Sequence, residues 1–496
     1  GWPGGASGTG TGPGGRRHPI VVRLRPVRAG TTVTRSWPDD PAVRARLETA
    51  RDDLVAEERR DDGAFVQSVG PFVGYERRVE DRDGLLVERT RYRLAIPWFS
   101  WLFRLPVRWQ IGRRGHHPSN PLPHRTPWWA PPDQIDPRQA MVMGLLAAAS
   151  MASAFVNTLF TQTAEFAADD FGVSDGDLGL AGAIVRAGIV LALPFAVLAD
   201  RIGRRTVIRV VAWSAPTVAA LGALAPSFPL LVATQAVGRP LGLALDFLIA
   251  VAVAEEMPRN SRAYAVSVMA MASGLGAGIA VMALPLAGIS AGSWRLVYVV
   301  TLVWLAVAVD ISRRLPETIR FTRPHVVAPH LDKRRFATLA AVAVLANCFV
   351  APASFFQNSY LRDVRGYTAG EIATFTLVTA TPAGLGLVIG GRIADVRGRR
   401  LVIAVAVPIA TLLVLGSFTI DGAPMWLSAF GGGFIGGIAV PALAVYRAEL
   451  FPTGNRSRAA GLLTASALGG GIVGLLLVGE LRDRGWSYGS VIGLVA

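Results

Sequence analysis

Long apolar runs bounded by charge recur from residue 140 to the end of the chain, and they limit the possible folds more than any other feature. An α-helix rises about 1.5 Å per residue, so about 20 apolar residues cross a hydrocarbon core of roughly 30 Å. Runs of that length fall near 140–162, 178–199, 206–226, 229–254, 264–289 and 294–312, then near 336–358, 371–393, 401–420, 424–447 and 458–480. A twelfth begins at Trp486, and the sequence stops at Ala496, about half a span later. Together with a first residue of Gly1 rather than Met, this reads as a piece of a longer protein. Composition agrees with a membrane protein: 51% of residues are hydrophobic and 17% charged, unlike a soluble enzyme of this length.

In a soluble protein the net charge of +15 would point to nucleic acid. Here the basic residues flank apolar spans and act as topology signals, so no nucleic-acid partner is expected. Arg204, Arg205, Arg259, Arg262, Arg313, Arg314, Lys333, Arg399 and Arg400 all lie in loops that follow even-numbered spans. The loop "TQTAEFAADDFGVSDGDLG" holds Glu165, Asp169, Asp170, Asp175 and Asp177 and no basic residue. The positive-inside rule then places the N-terminus in the cytoplasm of a multi-pass protein of the cell membrane. Cys348 is the single cysteine, which excludes an internal disulfide or a Cys-based zinc site.

The first residues divide into a low-complexity tail, 1–15, and a cytoplasmic region of unassigned role, 16–137. Residues 41–60 have a helical pattern with Val43, Leu47, Leu54 and Val55 on one side, and "FVGYERRVEDRDGLLVERTRYRLAIP" reads as a β-hairpin around "DRDG". "WFSWLFRLPVRWQIGRR" mixes Trp98, Trp101, Phe103 and Trp109 with Arg104, Arg108, Arg113 and Arg114. Such a segment suits either the headgroup layer or the interior of a small α+β domain. The region shows no nucleotide loop, metal cluster or catalytic triad, so neither cofactor nor metal is expected.

Two markers show an internal repeat. "FAVLADRIGRRTVIRV" returns as "GGRIADVRGRRLVIAV", with Asp395 at 395 − 200 = 195 residues from Asp200. "AEEMPRNSRA" returns as "AELFPTGNRSRA", where Pro452 is 452 − 258 = 194 residues from Pro258. The membrane part is therefore two six-helix halves in parallel orientation, 138–313 and 336–496, joined by a cytoplasmic linker at 314–335.

With these motifs the sequence resembles the major facilitator superfamily of secondary transporters, over Ala140 to Ala496. The family's loop signature, G-x-x-x-D-R-x-G-R-R, stands here as "LADRIGRR" and "GRIADVRGRR". "LPETIRF" and "FPTGNRSRA" are similar to the branch of sugar porters and organic-acid or phosphate proton symporters. The sugar-porter glutamine pair is absent from span seven and the antiporter Gly-Pro from span five, which argues against a sugar and against drug export. The resemblance implies an all-α membrane fold with 12 transmembrane helices, the twelfth truncated, plus the small cytoplasmic N-terminal α+β region, and a monomer that is not an enzyme. It also implies a conformational latch. Asp200 and Asp395 would accept from helix N-termini, where the partial positive charge favours an anion. Arg204, Arg205, Arg399 and Arg400 would pair with Glu255 and Glu449.

Charges inside spans are costly and usually face a cavity or a partner. Asp246 lies 255 − 246 = 9 residues, about 13 Å, before Glu255 and so near the midplane. Arg239 is seven residues earlier on the same helix face. Arg186 lies 200 − 186 = 14 residues, about 21 Å, from Asp200. In the symporters the chain resembles, span four carries an arginine and an acidic residue about ten before a glutamate; Arg239 and Asp246, ten before Glu256, match these positions. Asp246 is thus the candidate for proton coupling, and Arg186, Arg239, Asn157, Asn347 and Gln357 for solute binding, with Thr161 also polar. A structural ion pair between Asp246 and one arginine is the competing reading. The glycine rows around Gly276 and Gly432 suit close helix packing.

The expected function is proton-coupled secondary transport of a small polar or anionic organic solute by alternating access. Its partners would be solute, protons and the bilayer. The alternative is a non-transporting membrane sensor or scaffold with a cytoplasmic N-terminal output domain. The arginine asymmetry makes a topological prediction: Lys333 is cytoplasmic and Asp170 outside. Cysteines placed at these positions and treated with an impermeant reagent in intact cells should label at 170 and not at 333.

Overall fold

The computed structural model describes residues 30–113, 126–127, 129–317, 333–449 and 456–496. They fall into two compact units. One holds the described residues up to Ala95 together with Arg104–Arg113; the other holds Ile96–Phe103 and everything from Thr126 onward.

The first unit is a five-stranded antiparallel sheet with strand order β1-β5-β4-β3-β2, formed by β1 (Thr31–Pro38), β2 (Ala56–Arg59), β3 (Phe65–Val69), β4 (Phe72–Arg82) and β5 (Leu85–Leu94). The expected hairpin is present: Arg82 pairs with Leu85 and Tyr75 with Tyr92 across β4 and β5. Asp83 and Gly84 both have positive φ, 54° and 74°, the requirement of a tight turn that follows the twist of its strands. The expected helix over 41–60 is a correction. Only α1 (Pro41–Glu48) is helical, capped by the Asp40 carboxylate. Beyond it the Arg51 N–H donates to Glu57 (2.7 Å), and the chain turns into β2 instead of continuing. The four apolar residues are nonetheless buried, Val43 and Leu47 from the helix and Leu54 and Val55 from the turn.

A charged network lies at the centre of this unit. Glu57 accepts from Arg77 (2.7 Å) and from the Tyr75 hydroxyl (2.6 Å), and Arg77 also donates to the Leu47 carbonyl (2.6 Å). Both ion-pair partners have side chains that are 0% exposed. Burial pushes the Glu57 carboxyl up, but the Arg77 hydrogen bonds and charge outweigh it and hold the group below its ordinary value. Its contribution to stability is therefore present above the unfolded pKa and lost as pH falls through the folded one. Glu57→Gln leaves Glu88, at 3.6 Å, as the carboxylate nearest Arg77. The expected cost is about 3 kcal/mol, the low end for breaking a buried pair, because Glu88 remains. Loss of amide protection across β3–β5 by hydrogen exchange, without loss in the membrane helices, would confirm it.

The second unit is helical. The first half contains α3 (Pro137–Phe171), α4 (Asp175–Ala187), α5 (Leu193–Ile202), α6 (Arg204–Ala220), α7 (Phe228–Glu256), α8 (Arg262–Met282), α9 (Trp294–Val300) and α10 (Leu305–Arg314). The second contains α11 (Lys333–Phe355), α12 (Gln357–Asp363), α13 (Ala369–Arg397), α14 (Arg399–Gly416), α15 (Gly422–Glu449), α16 (Arg456–Asp483) and α17 (Tyr488–Val495). Among the described residues nine segments are long and apolar enough to cross a membrane. The interrupted α4–α5, α13 and the short α17 occupy the remaining three expected positions.

The repeat holds in the backbone. Gly203 (φ 95°) precedes α6 and Gly398 (φ 89°) precedes α14, 195 residues apart. A positive φ is a conformation that glycine adopts without steric penalty, which is why the loop signature needs glycine there. α8 and α16 start at Arg262 and Arg456, 194 residues apart.

One loop expectation needs correction. The acidic stretch 161–179 is mostly helix. α3 begins with a capping box between Asp136 and Gln139 and runs to Phe171, where Gly172 takes the left-handed conformation. Only Gly172–Ser174 connect it to α4, whose first turn Ser174 caps. Charged residues past the apolar run do not stop a helix, so Glu165, Asp169 and Asp170 extend α3 instead of forming a loop. Span two is broken by a 3-10 turn at Gly188–Ala192 before Pro194.

Close packing explains some of the glycines. A Cβ at Gly276 would run into the Met151 carbonyl of α3, whereas one at Gly274 meets nothing within 4 Å.

Candidate functional site

The in-span polar residues are assembled by helix crossings. α7 packs against α3, and the absence of a side chain at Gly242 allows the approach: a Cβ there would lie 2.8 Å from Asn157 Oδ1. The Ser153 hydroxyl donates to the Gly242 carbonyl (2.7 Å), and the Asn157 amide donates to the Asp246 carboxylate (3.2 Å) and to Ser153 (3.3 Å). Asp246 is half-buried. Among the described residues no arginine lies within ion-pair distance of it. The competing reading, an Asp246–arginine structural pair, is therefore not found in this conformation.

Arg239 sits two turns before Asp246 on α7, about 10 Å along the axis. Its Nε is buried without a hydrogen-bond partner. Arg186 ends α4 just before the 3-10 turn and packs on Gly471 of α16. One of its terminal nitrogens donates to Asn347 Oδ1 on α11 (3.1 Å), across the two halves, while its Nε is buried and unpartnered. The charge of Arg186 reaches Arg239. Among the described residues neither arginine has a carboxylate within ion-pair distance.

The structure thus brings Asn157 to Asp246 and Arg186 to Asn347. It does not bring Gln357 to either pair. Gln357 opens α12, ten residues beyond Asn347, next to residues that tie the halves together at one end. There Asn358 donates to the Gln162 carbonyl (2.9 Å), Ser359 to Glu165, and Arg362 pairs with Asp169. Arg482 at the end of α16 pairs with Asp175 (3.2 Å), and Asp483 accepts from the Gly176 N–H (2.8 Å) and the Ser174 hydroxyl (3.1 Å). Phe160 of the first half meets Phe355 of the second with ring centroids 6.0 Å apart.

Sequence reasoning treated these acidic groups as topology markers and missed Ser153, Gln162, Asn358, Ser359, Arg362 and Asp483. Three adjacent polar residues in "FFQNSY" at the end of span seven were the available signal.

At the opposite end, Arg204 pairs with Glu255, and the Arg205 N–H donates to Glu317 (3.1 Å). Arg138 pairs with Glu256 (2.9 Å). The Arg204–Glu255 and Arg138–Glu256 pairs stay within the first half, and Glu317 belongs to the linker. Arg399 and Arg400 open α14. The side chains of Asp200, Asp395 and Glu449 lie outside the described residues.

Two repeated bundles of helices tied together at one end are the architecture of a membrane transporter of the alternating-access class. A family model described as Major Facilitator Superfamily matches residues 145–475. The chain belongs to that family and is a multi-pass membrane transporter, not an enzyme. Among solved structures it is similar to a bacterial homologue of the human lysosomal transporter Spinster in an inward-facing, occupied conformation. That match has a TM-score of 0.61 and 20% identity, covering 71% of this chain and 85% of that one. It is also similar to the xylose transporter XylE from E. coli in an inward-open conformation, with a TM-score of 0.58 and 14% identity over 71% of this chain and 93% of that one. The nucleoside transporter NupG matches with a TM-score of 0.59 and 12% identity over 71% and 96%. At these identities the likeness is one of fold. No curated protein sequence matches the chain.

The tied end generates a prediction. Asp483→Ala removes two hydrogen bonds between the halves. Being exposed, they hold the closed end by about 1 kcal/mol, so the open-end population should rise roughly fivefold. Spin labels at Asp177 and Glu480 should show a longer-distance component in the variant.

Proposed function

We propose that the chain carries a small polar or anionic organic solute across the cell membrane, coupled to protons, with its N-terminal region in the cytoplasm. The observation that carries this reading is the pair of neighbouring arginines, Arg186 and Arg239, whose Nε groups are buried and unpartnered. The fold neighbours are named for xylose, nucleosides and a Spinster homologue, so fold alone does not select a solute. An unpaired cation in low dielectric is unfavourable, and an anionic group on the solute would relieve it. Asn347, bonded to Arg186 from the other half, would register solute binding in both halves.

Asp246 supplies the proton site in this reading. No described arginine is paired with it in the conformation seen here, and a bundle movement that brings Arg239 or Arg186 nearer would favour its charged form. Proton uptake on one side and release on the other then follows from the conformational cycle. With the tied end outside, as the arginine asymmetry predicts, this reading takes the conformation as inward-facing. Arg204–Glu255 is half of the latch, within one bundle. Closing the cytoplasmic side would recruit the equivalent charges of the second half, Arg399, Arg400 and Glu449, with Asp200 and Asp395 at the neighbouring helix ends.

Uptake into proteoliposomes under an imposed pH gradient, screened across organic anions and neutral polar solutes, tests the proposal. Asp246→Asn should abolish accumulation driven by the gradient and leave solute exchange partly intact. Arg239→Ala should weaken binding by tenfold or more, as expected for loss of a charge-assisted contact of about 1.5–3 kcal/mol. Gradient-driven accumulation by Asp246→Asn with an unchanged pH profile would sink the proton-site assignment.

A further inference from the structure

The segment that joins the two units carries an unpartnered helix face. α2 (Ser100–Gly112) buries Val107 and Ile111, and its last turn is held by Arg51, which donates to the Gln110 and Ile111 carbonyls at 3.0 and 3.1 Å. The opposite face exposes Trp101 (70%), Leu105 (75%) and Trp109 (54%), spaced by four residues so that they form one stripe, with Leu102 beside it. Arg104 and Arg108, both exposed, flank the stripe, and Arg113 stacks on Trp109 at 4.0 Å. Three large apolar side chains in water along 13 residues are unfavourable unless something covers them.

Two further observations indicate a lipid surface. The residues leading into α2 are seated on the transmembrane helices near one end. Trp98 Nε1 donates to Asp310 (3.1 Å), four residues before the end of α10, and Ile96 and Pro97 lie against Gly144, seven residues into α3. Those positions are about 6 and 10 Å from the respective helix ends, the depth of the headgroup boundary. In addition, the sequence from Arg89 to Pro132 holds eight arginines and no acidic residue.

We infer that α2 lies in the membrane interface, with Trp101, Leu105 and Trp109 in the acyl boundary and Arg104, Arg108 and Arg113 on anionic phospholipid headgroups. This does not depend on the transported solute or on which side of the membrane α2 occupies. The test uses the whole chain with Cys348→Ala and a single spin label at Leu105, or at Leu102 as a second site, with Asp83 in the β4–β5 turn as the aqueous control. Reconstituted into phosphatidylcholine vesicles containing a quarter phosphatidylglycerol, the labels at 105 and 102 should collide with oxygen in preference to a nickel chelate, and the label at 83 should do the reverse. Arg104→Glu with Arg108→Glu should lower the ratio of docked to undocked helix about 25-fold, at roughly fivefold per arginine. Labels at 105 and 102 that stay as water-exposed as the control would overturn the proposal. So would labels shielded from both reagents, which would mean that protein covers this face.

Discussion

Hydrocarbon offers no hydrogen bonds, so every backbone N–H and C=O that enters a bilayer must be satisfied within the protein, and any charge that enters must have a reason to be there. The helical character of the described segments from α3 to α17 follows from the first condition. The informative residues follow from the second. Arg186, Arg239 and Asp246 stand out because their surroundings are otherwise so apolar. In the proposed reading, an anionic solute would partner the two arginines.

Alternating access also requires the two halves to hold together at one end while parting at the other. Here the held end is built from modest interactions: single hydrogen bonds from Asn358 and Ser359, ion pairs at Arg362 and Arg482, and the Asp483 bonds to the start of α4. Several of these are exposed to solvent, where each contributes little. A seal made of many weak contacts can open without a large barrier, and it can be shifted by small changes at the midplane. Arg186–Asn347 also joins the halves, between α4 and α11.

The N-terminal unit follows soluble-protein rules instead. Its interior contains a buried Glu57–Arg77 pair in which each partner's remaining polar atoms are taken up by Tyr75 or by backbone carbonyls, the condition under which a buried pair is tolerated. The two kinds of unit in one chain thus handle buried charge differently. The sheet pairs its charges, and the membrane helices leave some of theirs unpaired.

The apolar spans, nine of which stand out among the described residues, the two-half repeat and the hairpin at Asp83–Gly84 were legible in the sequence, because each depends on local periodicity, length or backbone conformation. The 195-residue spacing of the loop signature reappears as two glycines with the same positive φ. Asp246, Arg186 and Arg239 were legible as well, since a charge in an apolar run is visible without a structure. Tertiary structure alone decided who meets whom. Asn157 reaches Asp246 because Gly242 lets α3 and α7 close together, and Arg186 crosses to Asn347 because α4 packs on α16. The acidic residues after span one changed meaning for the same reason. As a string they mark a loop, but α3 continues through Glu165 and Asp169 and places these two against α12. The segment after Glu48 leaves the helical path because Glu57, drawn to Arg77, also captures the Arg51 N–H. Contacts between residues far apart in the chain leave no periodic trace, and they are what arranges the candidate site.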